Sequence, residues 1–371
     1  MDAFPAVDPI PLPAPVWLFK LLHNLTLVLH FTAVHFLVGG LAITAFWALM
    51  GRFRQDEARL NASGALAHRL PIVMAYVINL GVPPLLFAQV LYGRALYTSS
   101  VLIGVYWISV IFLLIAAYFI LYMMAKRAEN GAGFAWLGLI ALAVILKIAV
   151  IYTNNMTLML RPDAWLDLYR NNPAGRQLNA GDPTVLPRWL FMMVGSLGVS
   201  GVGLMLLGMK TRLPESATLL LRRRGGLALA VFTGVQIAMA LRVFHVQAAG
   251  VRGALMGDGF SRMLVFAWVA TAALLIVLGL IVAVSAARRV WVLPALCGAV
   301  AFLNILLMVL VRDRIRDLAL AQHGFNVAAR AVNTNWSIVI LFLVLFVAAA
   351  GLVTGMAVVA ARARGVDETY A

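Results

Sequence analysis

Apolar stretches of about twenty residues or more recur along the whole chain, and no other feature limits its fold so strongly. Each is long enough to cross a hydrocarbon core of about 30 Å as a helix, and none alternates with the period of two that a barrel strand needs. The spans are read at 17–50, 70–93, 101–125, 133–160, 188–209, 226–247, 262–286, 290–311 and 336–361. With 63% hydrophobic and 12% charged residues in 371 positions, the chain is too apolar for a water-soluble domain. The expected fold is an all-α integral membrane bundle of about nine transmembrane helices. Its parts are an external lead-in at 1–16, a transmembrane domain at 17–361 and a cytoplasmic tail at 362–371.

An odd number of spans puts the two ends on opposite sides. With the N-terminus outside, segments 51–69, 126–132, 210–225, 287–289 and 362–371 lie inside and hold fifteen of the twenty-nine basic residues on the shorter share of loop sequence. Among them are the triple arginine Arg222–Arg224 and the Arg288–Arg289 pair. That bias predicts N-out and C-in, in a bacterial-type inner membrane. The net charge of +15 is spread over many short loops, so it points to membrane topology and not to a nucleic-acid partner. The proline-rich start lacks the basic opening of a signal peptide. The longer outside segments 161–187 and 312–335 are expected to carry short surface helices, and 248–261 is a short link.

Polar chemistry concentrates in the first span, where LLHNLTLVLHFTAVHF (21–36) places His23, His30 and His35 in an apolar helix. An intramembrane ionisable group is costly and marks a site by default. His23 and His30, seven apart, project from one face about 10 Å apart along the axis, and His35 lies nearly opposite. The competing reading is that these imidazoles only hydrogen-bond neighbouring helices, above all for His35. His68 and His323 fall in loops. By these span limits every Asp and Glu also falls in a loop or terminus, so the spans lack the carboxylate relays of proton-coupled membrane enzymes. Lys147 is expected to snorkel along its own helix. Pro83–Pro84 are expected to break the second span locally, near Gln89.

Neutral imidazoles in an apolar bundle suit haem b, with His supplying axial nitrogens. The single cysteine, Cys297, excludes a thiolate cluster, a disulfide framework and covalent c-type haem attachment. Candidate axial ligands are His30, His23 and His245, with Met192 and Met193 as thioether alternatives that are otherwise ordinary core fillers. In depth, His245 at the outer end of the sixth span matches His23 better than His30. Cations for the propionates stand near the outer face at Lys20, Arg94, Arg188, Arg242 and Arg262, with Arg94 or Arg262 favoured.

Several of these stretches resemble subunit I of the cytochrome bd-type quinol oxidases. FKLLHNLTLVLHF (19–31) is similar to that family's first-span motif, in which Leu-Thr, three residues and His-Phe carry the high-spin haem ligand; the resemblance puts that ligand at His30. VINLGVPPLLFAQVLYGRALY (77–97) is similar to the second span and loop, and NNMTLMLRP (154–162), DPTVLPRWLF (182–191) and GFSRM (259–263) follow as further landmarks in order. Nine spans with an external N-terminus also agree with the family. The departures are equally specific. Gln89 stands where the family has a glutamate near the oxygen site, and 101–119 has no counterpart of a second proton-route glutamate. Phe191, beside Met192, replaces the low-spin haem histidine. Arg262 matches a family arginine, but the nearby Met ligand falls on Leu264, or on Met263 one register away. Asn304 lies near the position of a haem-ligating glutamate, and the quinol-binding insertion is missing from 248–261.

The resemblance implies a haem b membrane subunit of a respiratory complex. It would move electrons between the quinone pool and an external redox partner, a c-type cytochrome or iron-sulfur protein, alongside other membrane subunits. Haem b, in one copy or more, is the expected cofactor, with quinone as a second ligand class. A terminal quinol oxidase reducing oxygen is the enzymatic alternative, and a non-redox anchor or transporter the other.

Overall fold

The computed structural model describes residues 11–210, 213–286 and 290–362. Residues 1–10, Arg212, Arg288, Arg289, Arg364 and the rest of the tail beyond 362 lie outside the described residues. Among the described residues there are twelve α-helices and no sheet. Nine helical segments among the described residues are long and apolar enough to cross a membrane. They centre on α1 (Val16–Arg54), α3 (Leu70–Leu102), α4 (Gly104–Glu129), α5 (Ala135–Leu158), α7 (Val185–Lys210), α8 (Glu215–His245), α10 (Gly259–Val284), α11 (Val292–Ala321) and α12 (Trp336–Arg362). Short helices α2 (Glu57–Ala67), α6 (Pro162–Asn171) and α9 (Ala249–Gly257) fill three of the connections. The chain is a multi-pass all-α membrane protein, as its apolar runs require. In hydrocarbon a helix is the way an isolated segment satisfies its own backbone.

Several boundaries differ from the sequence reading. Helix α3 runs past 93 to Leu102, and α8 begins at Glu215 and not at 226, so Arg222–Arg224 lie on a helix and not in a loop. Two further differences bear on the site. The eighth span does not stop at 311, because α11 continues to Ala321. Ile305, Val309, Asp313, Arg316 and Leu320 are buried at spacings of three and four, so one helical stripe runs on through the charged residues. Asp313 and Asp317 therefore belong to a spanning helix and not to a loop, which corrects the expectation that no carboxylate enters the bundle. In α3, Pro83 and Pro84 sit inside a continuous helix, and the departure from helical geometry comes at Tyr92 (φ −125°, ψ 23°). Each proline removes one backbone donor, which leaves the carbonyls four residues earlier, at Asn79 and Leu80, without their helical partner; the Pro84 carbonyl accepts an additional bond from His23.

The bundle is built around α1, which packs against α2, α3, α5, α7 and α11 and is the most buried of the nine spans. Small residues bring the second half together. A Cβ on Gly225 would lie 2.6 Å from the Gly201 carbonyl oxygen, and one on Gly279 2.7 Å from that of Gly226, so α7, α8 and α10 touch backbone to backbone. Helix α12 is the least buried span; Val339, with half-buried Leu343 and Phe346, rests on Leu18, Leu22 and Phe87. The end of the bundle at which α1 begins is tied by the lead-in. Leu12 bridges Val332, with Leu12 N–H donating to Ala331 at 2.9 Å and its carbonyl accepting from Asn333 at 2.9 Å.

Candidate functional site

Charged side chains from α1 and α11 meet a tyrosine of α3 inside the bundle near the end at which α1 begins. Lys20 bridges both carboxylates, 2.8 Å from Asp313 and 2.5 Å from Asp317. The Tyr92 hydroxyl donates to Asp317 at 2.8 Å and lies 3.2 Å from Asp313. Its ring is flanked by Lys20 at 5.3 Å and by the Arg316 guanidinium at 4.8 Å. Arg316 donates to His23 Nε2 at 3.0 Å and to Asp313 at 3.4 Å, and His23 Nδ1 donates to the Pro84 carbonyl at 3.0 Å. Those two partners assign His23 as the neutral Nδ1–H tautomer, since Nε2 must accept from an arginine. Two cations face two carboxylates, so the set is closed in charge. Its geometry meets the condition under which buried ions persist, which is that every ion is paired and hydrogen-bonded.

His30 occupies a different setting on the same helix face. Its Nδ1 lies 3.1 Å from the Val77 carbonyl of α3. The ring reaches that carbonyl because position 81 has no side chain: a Cβ on Gly81 would fall 2.9 Å from His30 Cε1 and 3.1 Å from Nδ1. Among the described residues no group hydrogen-bonds its Nε2. Nδ1–H donation to a carbonyl fixes the tautomer and orients the Nε2 lone pair, which is the arrangement of an axial imidazole. Phe31 is adjacent, with ring centroids 5.8 Å apart. Phe31 belongs to an apolar cluster with Val28, Val199, Trp268 and Met308, against which Met192 and Phe191 are half-buried. Over the Phe31 ring, 5.2 Å from its centroid, stands the guanidinium of Arg312, a cation close enough to act electrostatically on His30.

The structure thus brings Lys20 and His23 into one network, with His30 one face-repeat deeper toward α3. His23 is engaged at both ring nitrogens. His35 lies on the α1 face that carries Gly39 and meets α7; its Nδ1 bonds the Phe31 carbonyl at 2.5 Å, and its Nε2 is buried without a partner. His245 is exposed at the end of α8, which packs against α2, α7 and α10, so it is not brought beside His23 despite the match in depth. Met193 packs on the cluster around Val38 and Leu41. Gln89 and Arg94 are half-buried on α3, with Arg94 on the helix rather than in a loop. Arg262 is exposed on α10 and bonds the Met256 carbonyl at 3.4 Å. Lys147 is exposed along α5 with its ammonium over the Tyr106 ring at 5.2 Å. Asn304 bonds the Trp268 carbonyl and Thr271, which makes it a helix-to-helix tie.

Sequence reasoning missed Asp313, Arg316 and Asp317 as bundle residues, and Arg312 as the cation nearest the His30 setting. The signal was present in the helical spacing of RDRIRDLALA, which continues the buried stripe of the apolar run before it.

The loops at this end of the bundle carry their own polar contacts. An open cavity of about 540 Å³ lies between α6 and the following loop, lined by Tyr106, Leu168 and Arg176–Gly181, away from the histidines. The Asp163 carboxylate, hydrogen-bonded to Arg161, raises the Arg161 guanidinium above its ordinary range. Asp258 caps α10 by accepting from the Ser261 hydroxyl and backbone N–H, and those bonds hold its carboxyl below the ordinary range. No protein-family model matches the chain, and no curated protein matches it.

Proposed function

We propose that the chain is a haem b-binding membrane subunit, a divergent relative of subunit I of the cytochrome bd-type quinol oxidases, with His30 as an axial ligand. The observation that carries the reading is the His30 ring, held by the Val77 carbonyl against Gly81 with its Nε2 lone pair uncommitted. Haem, when bound, supplies a one-electron couple. The residues of the chain supply the rest: His30 offers the ligand nitrogen, Val77 fixes its tautomer, and Phe31, Met192 and Trp268 keep water from the site. The donor set fits a porphyrin in a second respect. Buried polar hydrogens on Arg188 (Nε), Trp189 and Trp268 lack partners among the described residues, and a cofactor with carboxylate arms provides acceptors of that kind.

The expected setting is an inner membrane of bacterial type with the N-terminus outside. There the subunit would pass electrons between the quinone pool and an external c-type cytochrome or iron-sulfur partner. Such a carrier needs no proton route of its own. One observation favours the oxidase alternative: Asp313 and Asp317 place carboxylates inside the bundle. Both are committed to Lys20, Asp317 also to Tyr92 as donor and Asp313 also to Arg316, which leaves the electron-carrier reading ahead.

A pyridine haemochrome assay and reduced-minus-oxidised spectra of the purified protein test the reading. His30→Ala should remove a haem, or open it to external ligands, while the protein still inserts, and His35→Ala should do much less. Purified protein without Soret absorption, or a His30→Ala spectrum identical to that of the parent, would overturn it.

A further inference from the structure

The buried charges near His30 do not balance. In the network around Tyr92 each cation has a carboxylate, with Lys20 and Arg316 set against Asp313 and Asp317. Arg188 has the amide oxygen of Gln247 at 2.8 Å and is within electrostatic reach of Asp182. Arg312 has neither kind of partner. Among the described residues no carboxylate or hydrogen-bond acceptor meets its guanidinium, the charged groups acting on it include the guanidinium groups of Arg188 and Arg316, and the group stands over the face of Phe31. A cation–π contact is a small compensation for placing a third guanidinium beside two others within a bundle. Such an arrangement persists when an anion completes it. Arginine's planar fork selects a carboxylate or phosphate oxygen pair over a spherical ion.

Resting on the haem reading above, we propose that Arg312 is the anchor for a propionate carboxylate of the haem held by His30, in place of Arg94 or Arg262. Arg262 is exposed and points to a backbone carbonyl, so it has no need of the group. Arg312 acts electrostatically on His30 and shares the Phe31 ring with it, which puts the uncompensated cation and the ligand nitrogen at one site.

The test compares protohaem with its dimethyl ester, in which both carboxylates are masked and the ring is unchanged. Purified apoprotein is titrated with each and binding is followed by Soret absorbance. The parent should bind protohaem about tenfold or more tighter than the ester, the worth of a charge-assisted hydrogen bond. Arg312→Gln should abolish that preference, and Arg312→Lys, which keeps the charge but not the fork, should retain part of it. A parent protein that binds both equally well overturns the proposal without any variant having to fold. An Arg312→Gln protein with the parent's full preference overturns it as well. In both outcomes haem is still bound, so the haem reading survives; a parent that binds neither porphyrin removes the haem reading and the propionate site with it.

Discussion

Gly81→Ala tests the His30 setting most directly, because the structure gives the size of the conflict. The added methyl would sit 2.9 Å from Cε1 and 3.1 Å from Nδ1 of His30, where carbon contacts normally rest at about 3.5–4.0 Å. The ring, or α3 itself, must yield by roughly 0.5–1 Å. The bond from Nδ1 to the Val77 carbonyl is 3.1 Å long, so a shift of that size takes it beyond about 3.5 Å, where it no longer counts as a hydrogen bond. Losing the bond costs about 0.5–1.5 kcal/mol and overpacking about 1–3 kcal/mol, while replacing a helical glycine returns about 1 kcal/mol. The net destabilisation is therefore about 0.5–3.5 kcal/mol, measured by thermal unfolding of the purified protein in detergent. Gly64→Ala in α2 is the control, since nothing stands within 4 Å of its added methyl. On the haem reading, freeing the imidazole from its carbonyl should also weaken haem binding about 10–100-fold. A Gly81→Ala protein as stable as the parent, with unchanged haem affinity, would show that His30 does not depend on this contact.

Other perturbations separate the structural network from the site. Lys20→Met leaves Asp317 without a cation and should cost about 3–5 kcal/mol in the same unfolding assay, with partial recovery when Asp317→Asn is added; an unchanged melting point would refute the closed network. The depressed carboxyl of Asp258 makes its cap a contribution that is fully present above the ordinary carboxylate range and is lost as pH falls through the lowered value. The protection factor of the Ser261 amide, its exchange rate set against the intrinsic rate at the same pH, should therefore be high at neutral pH and fall in acid, and Asp258→Ala should remove that fall. Quinol-driven oxygen uptake by the purified chain should stay at background, measured with an oxygen electrode; uptake at oxidase rates that His30→Ala abolishes would restore the oxidase reading.

The bundle was legible because length and hydropathy decide it. All nine apolar runs became spanning helices, and the shared face of His23 and His30 followed from a spacing of seven. The limits of α11 were not legible by the same rule. Counting charged residues ends a span at Arg312, whereas the fold continues the helix because Asp313 and Arg316 are buried with partners on α1 and α3. A hydropathy window has no means of knowing that Lys20, almost three hundred residues earlier, supplies the countercharge. The prolines of α3 misled for a different reason: each withdraws one backbone donor, yet the helix runs on through both, and the departure from helical geometry comes at Tyr92.

The same comparison shows why charge balance separates the candidate site from its surroundings better than residue type does. Histidine and arginine occur in both settings, a few residues apart along α1 and α11. Around Tyr92 every polar group answers another, and a ligand there would have to displace bonds already made. Around His30 the imidazole Nε2, the Arg312 guanidinium and the partnerless indole of Trp268 lack answers among the described residues. Polar groups left in that state inside a bundle cost free energy, and on the haem reading a group with both a metal centre and carboxylate arms would return it. The deficit in this corner of the bundle is thus of the kind a haem would fill.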